Sequence, residues 1–232
     1  MNKSQGALIF GYPRTTVARI LPMALYFVFL AASPWLSKAL ALDAWASNWL
    51  YGAKVATVVA ALLYFVRDYG ELRAWRLPAA TWLLSLATGL VVFGLWIVLV
   101  DGWMVMGEMP GYRPLAADGS LDWAQVAVRW FGAALVVPVM EELFWRSFLL
   151  RWLSSPAFLQ VDPRRGDARA FWITAVLFGV EHQQWLAGIV AGVAYNWLYR
   201  RTGSLWAPIV AHAVTNGVLG WWVVSQGAWQ FW

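Results

Sequence analysis

Between Arg76 and Asp101 the chain runs for 24 residues without a charged side chain. As a helix, at 1.5 Å per residue, such a run reaches about 36 Å, enough to cross the roughly 30 Å hydrocarbon core of a bilayer with some tilt. The rest of the chain has the same character. It is 61% hydrophobic and 12% charged, whereas soluble domains carry about 25% charged residues. A water-facing globule cannot be covered by so little polar surface, which excludes an ordinary soluble enzyme as well as a disordered or collagen-like chain. The 19 tryptophans suit membrane interfaces, where an indole keeps its ring in an apolar layer and its N–H wet.

The formal charge of +5 comes from 17 Lys and Arg that lie mainly in short connections between apolar runs. That placement is a topology signal and gives no reason to expect nucleic acid. The absence of cysteine excludes disulfide scaffolds, thiolate metal sites and cysteine nucleophiles.

The apolar pattern predicts an all-α, polytopic transmembrane bundle of about seven spans. The first follows Arg14 and Arg19, continues to Lys38 and is read as a retained helix, not a cleaved signal peptide. The second covers about Trp45 to Val66, with Lys54 and its long side chain expected to snorkel. The third is the run from Arg76 to Asp101. The others cover about Asp122–Leu153, with Arg129 near its outer end and also expected to snorkel, Ala168–His182, Trp185–Tyr199 and Leu205–Val224. Strands are not expected, because the Val-rich stretches lack period-two alternation and an open sheet edge is not satisfied in lipid. One integral membrane domain over 1–232 is expected, with three helices and an outer loop in 1–121 and the catalytic helices in 122–232.

Arginines cluster after the second span (Arg67, Arg73, Arg76), the fourth (Arg151, Arg164, Arg165, Arg169) and the sixth (Arg200, Arg201). The positive-inside bias places the N-terminus in the cytoplasm and the C-terminus outside.

Ionisable groups within spans are costly, so Glu141, Glu142, Arg146, Glu181, His182 and His212 stand out. Glu142 and Arg146 are four apart and share a helix face, as an ion pair requires, while Glu141 is turned about 100° away. Glu141 is therefore expected to face a wet cavity as general base, with Glu142 and Arg146 as a structural pair. His212 and Asn216 share a face of the last helix. Counted from the arginine-rich helix ends, Glu141, His182 and His212 lie at roughly 18, 20 and 17 Å, one layer within the bilayer. That layer is expected to be reached from the cytoplasmic side.

Together, Glu141-Glu142-x-x-x-Arg146, Phe178-x-x-x-His182 and His212-x-x-x-Asn216 resemble the three motifs of the CPBP intramembrane proteases. That family includes the type II CAAX prenyl endopeptidases and the bacteriocin-processing Abi proteins. The match covers about Val137 to Gly217, and the stretch from Glu141 to Trp152 also resembles the CAAX-protease-related proteins associated with exosortase systems. The resemblance implies a membrane endopeptidase in which Glu141 activates water, His182 and His212 assist and Asn216 supports the oxyanion. Glu142 and Arg146 are then supporting residues. Glu181 departs from the pattern, standing where a neutral residue is expected, and is a candidate for tuning His182 or binding substrate. No cofactor and no metal ligand is implied. The expected partners are the lipid bilayer and a membrane-associated, prenylated or otherwise processed protein, and the expected location is the bacterial inner membrane.

Each feature alone has a plainer explanation: a packing salt bridge for the Glu-Glu-Arg trio, interhelical hydrogen bonding for His212 and Asn216. Gly188 and Gly192 read as a close helix contact. A zinc protease could use the same Glu and His residues, but there is no His-Glu-x-x-His and Phe178 occupies the first histidine position of an inverted motif. A transporter or a membrane scaffold remains the alternative from a different class; no paired internal repeat supports transport.

Overall fold

The computed structural model describes residues 8–109, 111–116 and 118–232. Within them the chain forms helices α1 (Arg14–Ala39), α2 (Ala44–Asn48), α3 (Leu50–Tyr64), α4 (Ala79–Val98), α5 (Trp123–Trp152), α6 (Ala168–Val180), α7 (Trp185–Thr202) and α8 (Trp206–Gln226). Helices α1, α4, α5 and α8 are each long and apolar enough to cross a membrane. The all-α bundle matches the sequence expectation. Two details differ. A two-residue antiparallel hairpin, Leu8–Ile9 with Tyr12–Pro13, precedes α1. The expected second span is also divided: Asp43 caps a short α2 by accepting from the Ala46 amide, and the chain restarts as α3 after Trp49.

Helix α5 runs through the centre of the bundle and is not uniformly α-helical. Gly132–Val136 and Leu143–Leu149 are wider π-helical turns, on either side of the regular segment Val137–Glu142. Pro138 lacks the N–H that would bond four residues back, and the helix widens just before it. The two glutamates thus occupy the one regular turn between two irregular ones.

Helices α6 and α7 approach closely because glycine lines their contact. A Cβ at Gly188 would lie 2.8 Å from the Gly179 Cα, and one at Gly192 would lie 2.8 Å from the Ala175 carbonyl oxygen. Gly203, at φ +70°, closes α7 in the left-handed conformation and lets the chain reverse into α8. On the other side of the bundle, α8 packs against α4, where Thr215 donates to the Gly89 carbonyl (2.9 Å).

The arginine-rich end is tied by a polar network. Glu71, in the connection between α3 and α4, accepts from Arg19 of α1 and Arg151 of α5, both at 2.6 Å. The buried Ser147 hydroxyl accepts from Arg19 (2.7 Å) and donates to Glu71 (2.5 Å). Arg14 pairs with Asp68 nearby (3.0 Å).

Lys54 does not snorkel. It is 6% exposed, and its ammonium lies 3.9 Å from the Tyr26 ring centroid and 4.8 Å from that of Tyr51. Two aromatic faces on α1 and α3 supply the attraction that water would otherwise give.

Candidate active site

Glu141, Glu181, His182, His212 and Asn216 line one cavity of about 510 Å³, together with residues from all parts of the bundle. Helix α5 supplies Glu141, the end of α6 supplies Glu181 and His182, and α8 supplies His212 and Asn216. Tyr26 of α1, Tyr51 of α3 and Trp96 of α4 complete the wall.

The adjacent glutamates have different surroundings. Glu142 is fully buried, and its Oε1 accepts from Arg146 and from Nδ1 of His212, each at 3.0 Å. Arg146 is in turn held by the Asn196 amide oxygen (3.1 Å), with its guanidinium 4.5 Å from the Phe178 ring centroid. Asn196 completes the lock by donating to Thr174 and to the Phe171 carbonyl, both at 2.9 Å. Glu141 takes no part in this lock. The enclosed Oε2 atoms of both glutamates have no hydrogen-bond partner among the described residues, so the difference between the two acids lies at Glu142 Oε1, which holds Arg146 and His212.

Both imidazoles are fixed through Nδ1. His182 Nδ1 donates to the Phe178 carbonyl (2.7 Å), which can only accept, and His212 Nδ1 donates to the Glu142 carboxylate. In the neutral ring this leaves Nε2 as the acceptor in each histidine. Phe178 packs against both rings, its centroid 4.8 Å from that of His182 and 6.0 Å from that of His212. Tyr195 stacks on His212 at 5.0 Å and donates to Thr215 (2.8 Å). Asn216 uses one amide hydrogen on the Ala133 carbonyl (2.8 Å), and the other has no acceptor among the described residues. Glu181 accepts from the Trp145 indole (3.1 Å).

The sequence reading missed Tyr195, Thr215 and Asn196, since uncharged residues in apolar helices raise no alarm. Their one legible signal is a hydrogen-bonding side chain within a span, which needs a partner. The access side is reversed. The cavity lining includes Met109, Gln183, Gln230 and Trp232, all at the end of the bundle away from the arginine-rich connections. Toward the arginine-rich end, the buried Arg146, Leu143 and Leu198 occupy the interior. Helix α6 ends at Val180, so His182 sits at its far tip, beside Gln183 and Gln184 of the cavity lining. Arg129 also departs from expectation: it turns into the cavity lining and packs on aromatic rings.

No group of three or more His, Asp or Glu side chains among the described residues is placed to hold a metal ion.

Residues 123–218 match the Rce1-like family model, described as type II CAAX prenyl endopeptidase Rce1-like. This is the protease family that the three motifs resemble. The Rce1-like segment runs from the first residue of α5 into the middle of α8. It contains both glutamates, Arg146, Glu181, both histidines and Asn216. Helices α1, α3 and α4, which close the cavity around it, lie outside the matched residues. No curated protein and no solved structure matches the chain.

Proposed function

We propose that the chain is an intramembrane endopeptidase that hydrolyses a peptide bond in a membrane-associated or prenylated protein. The observation that carries this reading is the contrast at the glutamate pair: Glu142 holds Arg146 and His212 through one oxygen and stays out of the cavity wall, while Glu141 lines the cavity shared with both imidazoles and makes no side-chain hydrogen bond among the described residues.

Amide hydrolysis needs a base for water, stabilisation of the oxyanion and a proton for the leaving amine. Glu141 removes a proton from water as the water oxygen bonds to the scissile carbonyl carbon. His212, oriented by Glu142, accepts the other water hydrogen at Nε2 and positions the nucleophile. His182 offers a second acceptor at Nε2 in the same cavity. The free amide hydrogen of Asn216 donates to the oxyanion. On collapse the C–N bond breaks, and the proton held by Glu141 passes to the departing nitrogen. The reaction balances with water as the only co-reactant.

The positive-inside bias puts the arginine-rich end in the cytoplasm of a bacterial inner-membrane protein, with the N-terminus inside, the C-terminus outside and the cavity facing the outer end. A comparison of membrane proteomes from wild-type and Glu141→Ala cells tests the activity. Discrete shortened peptides present only in wild type are expected; identical peptide sets would refute the proposal.

A further inference from the structure

The cavity contains a cation that the hydrolytic scheme does not use. The Arg129 guanidinium carbon lies 4.1 Å from the Tyr112 ring centroid, 4.9 Å from that of Tyr51 and 5.8 Å from that of Trp232. Two of these rings are themselves fixed. The Tyr51 hydroxyl donates to the Arg129 carbonyl (3.3 Å) and the Tyr112 hydroxyl donates to Gln125 (3.2 Å). Lys54 places a second positive charge against Tyr51.

Aromatic rings attract the guanidinium through their faces, but they do not satisfy N–H groups lying in its plane. Among the described residues no carboxylate or other acceptor hydrogen-bonds the Arg129 side chain. A guanidinium held this way, at a cavity wall, has the fork geometry that a carboxylate matches with two parallel hydrogen bonds.

We propose that Arg129 is a specificity subsite that binds a carboxylate of the peptide substrate. The proposal rests on the endopeptidase reading and adds a register to it. Arg129 precedes Glu141 by 12 positions on α5, about 18 Å of helix axis. An extended peptide covers about 3.4 Å per residue, so the carboxylate lies about five residues from the scissile bond. Two sources offer the same group: an Asp or Glu side chain, or the free C-terminus of the substrate.

Synthetic peptides with randomised sequences test this, prepared as C-terminal acids and as C-terminal amides and incubated with the full-length protein in lipid nanodiscs. Wild type is expected to enrich cleavage about five residues from Asp or Glu, or from a free C-terminus. The amide series separates the two sources, because it abolishes only a C-terminal preference. Arg129→Gln is expected to cut with that preference erased, raising KM about tenfold with kcat little changed, and Arg129→Lys to retain part of it. Fluorescein-labelled acidic peptides and their neutral counterparts are also titrated onto wild type and both variants by anisotropy. Tighter binding of the acidic peptide, lost in Arg129→Gln, upholds the subsite even if nothing is cleaved, and the failure then belongs to the endopeptidase reading. Equal binding of acidic and neutral peptides by wild type overturns the subsite, whatever the variants do. So does an acidic preference that survives in Arg129→Gln.

Discussion

His212 Nδ1 lies 3.0 Å from Oε1 of Glu142, not from the adjacent Glu141, so one acid orients an imidazole and leaves its neighbour unengaged. The same Glu142 oxygen meets Arg146. Removing one member of a buried pair leaves an uncompensated charge and costs about 3–5 kcal/mol. Glu142→Gln is therefore expected to lower thermal stability strongly, and Glu142→Gln with Arg146→Met to recover most of it. The double variant should remain poorly active because His212 has lost its charged acceptor. Thermal melts and peptide cleavage, measured on the same preparations, check both halves.

In the proposed mechanism Asn216 acts in the transition state more than in binding. Asn216→Ala is expected to reduce kcat by about 10²–10³ with KM little changed, as for the loss of one oxyanion donor. Steady-state kinetics on a cleaved peptide decide it; a change confined to KM would move Asn216 from the oxyanion to substrate binding.

Much of this arrangement is legible from spacing alone. Four-residue intervals place Glu142 with Arg146 and His212 with Asn216 on shared faces, and an apolar helix carries such groups at high cost, so they draw attention. What spacing does not reveal is which partner each group takes across helices. The His212–Glu142 bond depends on the rotation between α8 and α5, and α5 is shifted in phase by two π-helical turns that only Pro138 hints at. Depth counting groups Glu141, His182 and His212, which line one cavity, but points to the other end of the bundle for its mouth, because the chain above α6 and α7 folds as a loop and a C-terminal cap that periodicity does not describe. Long cations near helix ends suggest snorkelling, yet Lys54 and Arg129 find aromatic faces contributed by distant parts of the chain.

Glu71 joins three parts of the bundle and should make stability depend on pH. Burial pushes its carboxyl up, but Arg19, the Ser147 hydrogen bond and Arg151 together hold it below the usual carboxylate range. A group with a depressed folded-state pKa contributes stability above its unfolded value, near 4.3, and loses it as pH falls through the folded value. Acid melts of wild type are expected to show a loss below about pH 4 that is smaller in Glu71→Gln. The variant should also be less stable than wild type at neutral pH. Parallel acid profiles of the two proteins would contradict the assignment.

The α6–α7 contact leaves no room for a larger residue. Gly192→Val would drive its side chain into the Ala175 backbone, an overpacking expected to cost about 1–3 kcal/mol. It should also reduce cleavage, because α6 carries His182. Melting temperature and activity are expected to fall together.

The absence of native cysteine makes the access side directly measurable with single-cysteine variants. Gln183→Cys, at the cavity mouth, is expected to react with a membrane-impermeant maleimide added outside spheroplasts, and Arg201→Cys only after permeabilisation. The reverse pattern would invert the membrane orientation.

The central claim is that Glu141 is the base that activates water. It is tested most directly by the cleavage rate of purified Glu141→Gln in nanodiscs, at saturating peptide and with folding verified by its melt. A fall in kcat of at least about 10²-fold with the melt preserved is predicted. Cleavage at the wild-type rate by the folded variant would contradict the account.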